Sequence, residues 1–243
     1  MLHGPQRQRF DLEFCIPSEC ADRLAAGAAD IGIVPSIEAA RQRLEIIPGA
    51  GIACRGPVRS ILLVTKVRPE RIRTLATDAS SRSSVMLARI VLARRYGAEP
   101  RTVSMAPDLD AMLDAADAAL VIGDPALRID PARLPFAALD LGTEWWEMTG
   151  LPMVFAVWAC RNPASALEFA EAFAGSCAYG LEHLEDIVRL EAGARGLSEA
   201  LARDYLARNI VLKLGAEEYE GMRLFLQYAL ALDAVAPPGG VKA

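Results

Sequence analysis

The sequence has 243 residues, of which 53% are hydrophobic and 23% charged, and its formal net charge is −5. This composition provides enough apolar material for a buried core and excludes a globally disordered chain. The negative charge argues against a general binder of nucleic acid or anionic membranes, although it allows a local cationic pocket. No apolar run approaches the ~20 residues of a membrane span, and the N-terminus lacks a signal-peptide pattern. We therefore expect a cytoplasmic protein without nucleic-acid or membrane partners.

Residues that bind metals or act as histidine bases are scarce in this chain. Its cysteines are scattered and include no Cys-x-x-Cys pair: Cys15, Cys20, Cys54, Cys160 and Cys177. The two histidines are His3, near the terminus, and His183, in a predicted helix. They do not allow a Ser-His-Asp triad or a histidine-based metal site, and no Walker or dinucleotide glycine fingerprint occurs. The sequence thus predicts reduced thiols, no metal and no cofactor.

The N-terminal part of the chain alternates short strands with short helices. Residues 9–16 form a predicted strand, and Ser18 is the N-cap of a helix that ends at Gly27. Residues 31–34 form a short buried strand, and a second helix begins after Pro35. This alternation favours a parallel sheet with crossover helices.

A second α/β unit lies between two long apolar strands, residues 60–67 and 153–160. Within it, strands and helices alternate over residues 75–122. The chain after Pro163 is mainly helical, with glycines as breaks. The two apolar strands are the predicted crossings between the units.

Two such units joined by two crossings predict an α/β fold with two lobes. We expect one lobe to comprise residues 1–65 and 152–243, and the other to comprise residues 66–151. Ligands in such folds bind between the lobes, beyond the carboxyl ends of the strands. Gly56 and Gly150 are the predicted hinge positions.

A serine-rich turn is the most informative candidate site. Ser81, Ser83 and Ser84 follow a predicted strand and open a long helix. Unpaired N–H groups and the helix dipole favour negative charge at such a position, so a ligand carboxylate could bind there. The alternative is a solvated capping turn, since serine is a common N-cap.

Arg59 and Ser60 directly precede the first apolar crossing strand. The guanidinium fork matches a carboxylate, which makes Arg59 a candidate ligand for a small acid. A salt bridge to one of the 31 acidic residues is the alternative. Ser36 is also expected to face the cleft, and Glu38 is either a base or a first-turn acid that suits the helix dipole.

Further candidates lie at the end of the second unit. Gly123 closes a strand and permits close approach of the backbone to a ligand. Asp124 follows it as a candidate proton acceptor, and Thr149 precedes the predicted hinge glycine.

Five segments, in this order, resemble the menaquinone-biosynthesis family of periplasmic-binding-protein-like enzymes: ADIGIVPSIEAAR, IIPGAGIACRGPVRSILLVTKV, SSRSSVMLAR, ALVIGDPALR and LDLGTEWWEMTGLPMVFAVWACR. The resemblance implies a type 2 periplasmic-binding-protein-like fold. Within the family, the resemblance is to chorismate dehydratases of the futalosine route. The related dihydroxynaphthoate synthases rely on a histidine base, and this chain has no histidine at a comparable position. Family members begin with another strand. We therefore expect the first strand of the lobe formed by residues 1–65 and 152–243 to be missing here.

The resemblance implies chorismate as substrate and 3-[(1-carboxyvinyl)oxy]benzoate and water as products. Ser81, Ser83, Ser84 and Arg59 would hold the two carboxylates, and Ser36 and Gly123 would shape the ring pocket. The proton acceptor would be Glu38, Asp124 or the enolpyruvyl carboxylate of the substrate itself. A dihydroxynaphthoate synthase-like paralogue and a non-catalytic binding protein for small acids are the alternatives. A homodimer through the C-terminal helices also stays open.

Overall fold

A computed structural model describes residues 1–78 and 81–235 and contains two β-sheets with helices packed around them. The strands in this part of the chain are β1 (Ile31–Pro35), β2 (Glu45–Cys54), β3 (Ile61–Thr65), β4 (Thr74–Thr77), β5 (Arg101–Ser104), β6 (Ala118–Ile122), β7 (Ala137–Asp140), β8 (Met153–Cys160) and β9 (Val211–Lys213). The α-helices are α1 (Pro17–Ala26), α2 (Ser36–Arg41), α3 (Arg82–Tyr96), α4 (Leu109–Ala115), α5 (Asp124–Arg128), α6 (Leu141–Thr149), α7 (Pro163–Glu182), α8 (Leu184–Glu191), α9 (Glu199–Asp204) and α10 (Ala216–Val235). The predicted α/β class is confirmed.

The first sheet has the strand order β1-β8-β2-β9, and every pair in it is antiparallel. The prediction of a parallel sheet for this region was therefore wrong, because its neighbouring strands are antiparallel. The returning strand β8 lies between β1 and β2, so these two strands run in the same direction without contacting each other. A distant strand that inserts in this way is invisible to a local pattern.

The second sheet has the order β5-β4-β6-β3-β7 and is mixed. β4 pairs in parallel with β5 and with β6, as the alternation of strands and helices predicts. β3 is antiparallel to both β6 and β7, and all five of its residues are buried.

Residues 60–67 were predicted to cross between the two units. The strand β3 does not cross between the sheets. All five residues from Ile61 to Thr65 pair within the second sheet, and Met153–Cys160 pairs within the first. An apolar run signals burial on both faces and says nothing of which sheet it joins. The division into lobes at residues 65 and 152 stays a prediction, and this pairing favours a first boundary near residue 60.

The connection that leads into β3 is fixed by the carboxylate of Asp140. This carboxylate accepts hydrogen bonds from the N–H groups of Val58 (3.0 Å) and Arg59 (2.6 Å), and it also caps α6 through the N–H of Thr143 (3.0 Å). The backbone of α6 packs directly on this connection. An ideal Cβ at Gly142 would lie 2.4 Å from the carbonyl oxygen of Gly56, so only glycine fits there.

Residues 9–16 do not form the predicted strand. They pair with neither sheet in the described part of the chain, and a strand is stable only beside a hydrogen-bonded neighbour. The helix that follows is confirmed as α1, and it ends at Gly27 with a positive φ of 75°. Its N-cap is Ile16, so the prediction of Ser18 as the cap was wrong. Residues 9–16 are therefore a connecting segment and not a strand.

The core extends from the sheets into the helical C-terminal part. Trp145 is fully buried and contacts the rings of Phe225 and Tyr228 edge-on, at centroid distances of 6.2 and 6.0 Å. Its indole N–H donates to the carbonyl of Pro152 at 3.2 Å, beside the connection into β8. All five cysteines are free thiols. Across residues 1–78 and 81–235, no helix combines the length and apolarity that crossing a membrane requires.

Candidate active site

A cavity of about 270 Å³ lies between the two sheets. Pro35, Ile52 and Phe155 line it from the first sheet, and Ile61 and Ile122 line it from the second. Polar groups interrupt this apolar wall at five residues, namely Ser60, Ser81, Ser84, Gly123 and Tyr205. A mainly apolar cavity with a few convergent polar groups is the usual form of a small-molecule site.

The start of α3 provides two of these hydroxyls. Ser81 is the N-cap of this 15-residue helix, and its hydroxyl donates to that of Ser84 at 2.8 Å. The first N–H groups of a helix lack partners within the helix, and the helix dipole favours an anion beside them. The two predicted serines therefore lie where an anionic group of a ligand would be stabilised.

Ser60 and Gly123 lie together on the side of the second sheet. The N–H of Gly123 donates to the carbonyl of Ser60 at 2.7 Å, which joins the start of β3 to the end of β6. Gly123 has a φ of 71°, and an added Cβ there would meet no atom within 4 Å. The requirement for glycine is thus conformational, and the backbone remains open towards the cavity.

Ser36 and Ser83 do not line the cavity, contrary to the prediction for both. Each is 1% exposed, and their hydroxyls lie 3.2 Å apart. Ser36 donates to the carbonyl of Val154 at 2.7 Å, and Ser83 accepts from the N–H of Ile37 at 3.3 Å. The pair joins α2 to α3 and has a structural role.

The two predicted proton acceptors are also outside the cavity lining. Glu38 is 8% exposed and forms ion pairs with Arg41 (3.0 Å) and Arg82 (3.2 Å). Asp124 forms an ion pair with Arg195 at 3.3 Å at the start of α5. These arrangements do not support either carboxylate as the base.

Arg59 points away from the cavity, although its backbone lies beside Ser60. Its guanidinium donates to the carbonyls of Ala126 (3.1 Å), Leu127 (3.4 Å) and Ile129, which end α5. A cation at a helix C-terminus satisfies orphan carbonyls and suits the dipole. We therefore do not retain Arg59 as a carboxylate ligand.

Thr149, the last of the predicted site residues, belongs to the end of α6. Its hydroxyl donates to the carbonyl of Trp145 at 2.8 Å and accepts from the N–H of Leu151 at 3.2 Å. It does not line the cavity. Its contacts fix the turn at Gly150, which has a φ of 68°.

Tyr205 is the polar cavity residue that the sequence analysis missed. It begins a π-helical turn, Tyr205–Asn209, and its hydroxyl lies 3.1 Å from that of Ser60. Burial is the main cause that raises the pKa of Tyr205, so the phenol stays protonated at neutral pH. The residue lies far along the chain from the other candidates, and only tertiary packing brings it to the site.

A larger cavity, about 620 Å³, lies elsewhere, on the outer side of β1. Segment 11–15, residues 31–33 of β1 and His183, which follows α7, are among the residues that line it. None of the predicted site residues lines it. We assign the candidate site to the smaller cavity, because that one lies between the sheets and contains the convergent hydroxyls.

Two chorismate dehydratases are similar to this chain in sequence. The one from Thermus thermophilus is 29% identical over 224 residues, which cover 84% of this chain and 81% of the relative. The one from Campylobacter jejuni is 26% identical over 222 residues, covering 90% and 83%. Both alignments extend over most of each chain.

Solved structures show the same fold at low sequence identity. A protein from Archaeoglobus fulgidus has a TM-score of 0.73 at 18% identity, covering 91% of this chain and 86% of that one. The alkanesulfonate-binding protein of Xanthomonas axonopodis pv. citri has a TM-score of 0.64 at 16% identity, covering 93% and 83%. The predicted two-lobed periplasmic-binding-protein-like fold is confirmed. The sequence model of the menaquinone biosynthesis family matches residues 1–231, and the chain belongs to that family.

Proposed function

We propose that this protein is a hydro-lyase that removes water from chorismate to give 3-[(1-carboxyvinyl)oxy]benzoate. The observation that carries the proposal is the cavity between the sheets, in which hydroxyls and the start of α3 face one apolar chamber. Membership of the menaquinone biosynthesis family and the similarity to two chorismate dehydratases support it. The volume of about 270 Å³ suits a ligand with a single ring.

In this proposal, hydroxyls and helix-start amides bind the carboxylates of the substrate, and no guanidinium is required. Ser81 and Ser84 hold one carboxylate at the start of α3. The hydroxyl of Ser60 binds a second oxygen group, and Gly123 beside it leaves room for that group. Hydrogen bonds to an anion are stronger than those between neutral groups, and an apolar surrounding strengthens them further.

The reaction requires removal of a ring proton and loss of the neighbouring hydroxyl, and aromatisation drives it forward. Among the described residues that line the cavity, none carries a carboxylate or an imidazole. We therefore assign proton abstraction to the enolpyruvyl carboxylate of the substrate, folded towards the ring. Correct orientation within a closed cavity can substitute for a strong base, because effective molarities of well-aligned groups reach about 10⁵ M or more.

The test is incubation of the protein with chorismate and mass analysis of the product. A product lighter by one water supports the proposal. Chorismate that is bound and recovered unchanged would instead show a binding protein and overturn it. Ser81→Ala and Ser84→Ala should each lower kcat/KM by about tenfold to a hundredfold, the range for one hydrogen bond to a charged group. Ser198→Ala is the matched control, since Ser198 caps α9 outside the cavity.

A further inference from the structure

The π-helical turn Tyr205–Asn209 connects the C-terminal helices to the entrance of β3. At its first residue, the hydroxyl of Tyr205 lies 3.1 Å from that of Ser60. At its last residue, the side-chain amide of Asn209 donates to the carbonyl of Pro57 at 2.9 Å. Such turns insert one extra residue into a helix and are frequent at functional sites. Both ends of this turn therefore contact the short connection that carries Ser60 into the cavity.

The environment of Tyr205 makes its hydroxyl a donor. The ring lines the cavity between the sheets on one side and, on the other, a second cavity of about 280 Å³ beside Leu127 and Val188. Burial, aided by the negative charge of Asp124, raises the pKa of the phenol. A protonated tyrosine that donates to Ser60 leaves the serine proton free to point into the cavity.

We propose that Tyr205 is a positioning residue that fixes the hydroxyl of Ser60 as a hydrogen-bond donor to an oxygen of the bound acid. This pair and the Ser81–Ser84 pair line the same cavity, so the two pairs hold a ring acid at two points. The inference rests on the proposed function for the identity of the ligand. The geometry of the two hydroxyls stands independently of it.

A double-mutant cycle on Tyr205→Phe and Ser60→Ala tests the proposal, with kcat and KM for chorismate as readouts. Loss of alignment should lower kcat of Tyr205→Phe by about tenfold, the equivalent of one hydrogen bond, with KM changed less than about threefold. The double variant should be no slower than Ser60→Ala, because both substitutions act through one hydroxyl. Losses that multiply would overturn the proposal, as would a Tyr205→Phe variant with unchanged kcat.

Tyr219→Phe is the matched control. It also removes a tyrosine hydroxyl that makes a hydrogen bond, here with the N–H of Gly49 at 3.1 Å, and it lies outside the cavity. Its kcat should equal that of the unmodified protein. Thermal unfolding of each variant separates a loss of fold from a loss of alignment.

The test remains decisive if chorismate is not the substrate. Absence of turnover by the unmodified protein would reject the proposed function alone. The same cycle is then measured on the dissociation constant for benzene-1,3-dicarboxylate, an unreactive ring dicarboxylate. If both single variants weaken binding of this probe and their effects are not additive, the proposed role of the Tyr205–Ser60 pair is supported. Unchanged or absent binding of this probe rejects it.

Discussion

The guanidinium of Arg82 lies 3.2 Å from the carboxylate of Glu38, and this ion pair joins the first turn of α3 to α2. The same guanidinium lies 2.8 Å from Asp22 in α1. The contact connects α3, which follows strand β4 of the second sheet, to α1 and α2, which pack on the first sheet. Together with the neighbouring Ser36–Ser83 pair, it fixes the position of the α3 start above the cavity.

Glu38→Gln should reduce stability and leave catalysis largely intact. The substitution removes the charge that pairs with Arg41 and Arg82, at an expected cost of roughly 1–2 kcal/mol in the free energy of unfolding. Turnover of chorismate should stay within about tenfold, whereas loss of a general base costs about 10²–10⁴-fold. Urea unfolding and steady-state kinetics check both values. Glu147→Gln, in an exposed ion pair with Arg95, serves as the control.

Arg59→Met should destabilise the fold without altering the electrostatics of ligand binding. The guanidinium stabilises the carbonyls that end α5, and its loss should cost roughly 1–3 kcal/mol. Binding of a dicarboxylate should keep its dependence on salt concentration, because Arg59 does not face the cavity. Urea unfolding and titrations at two ionic strengths measure the two effects. Arg68→Met, at an exposed position, should change neither.

Asp140→Asn should be more damaging than a change at an ordinary helix cap. Its carboxylate accepts three backbone hydrogen bonds, two of them from the connection into β3, and we expect a loss of roughly 2–4 kcal/mol. Asp108→Asn is the matched control, since Asp108 caps α4 through one hydrogen bond from Ala111. Equal losses in the two variants would contradict this account.

Asp117 should make the stability of the protein depend on pH in the acid range. Hydrogen bonds from the backbone N–H groups of Arg73 and Thr74 lower the pKa of this carboxyl in the folded state. A lowered folded pKa adds stability above the ordinary aspartate value of about 3.9, and that stability is lost as the pH falls through the folded pKa. The free energy of unfolding, measured from pH 6 down to pH 2, should therefore fall less steeply for Asp117→Asn than for the unmodified protein. Asp114→Asn, at an exposed position in α4, should follow the unmodified curve.

The sequence was sufficient for the fold class and for most local elements. The α1 helix, its end at Gly27 and the strand β6 that ends before Gly123 follow from glycines and apolar runs. The pairing of β8 between β1 and β2 could not be predicted, because it joins residues about a hundred or more positions apart. For the same reason the sheet to which β3 belongs was not visible.

The candidate site was predicted in part, for a related physical reason. Ser60, Ser81, Ser84 and Gly123 line the cavity, since the ends of strands and the starts of helices converge there. Polar side chains in these turns can instead be used by the fold itself, and the sequence does not separate the two uses. Arg59 is the clearest example: its backbone is in place, while its side chain caps α5.

The close packing of Gly142 on the Gly56 carbonyl brings the two connections between the sheets together, backbone against backbone. With the Asp140 hydrogen bonds beside it, this contact holds the two connections together at one place. The two sheets cannot slide past each other there without breaking those bonds. We therefore expect any opening of the cleft for a ligand to occur on the side remote from this contact.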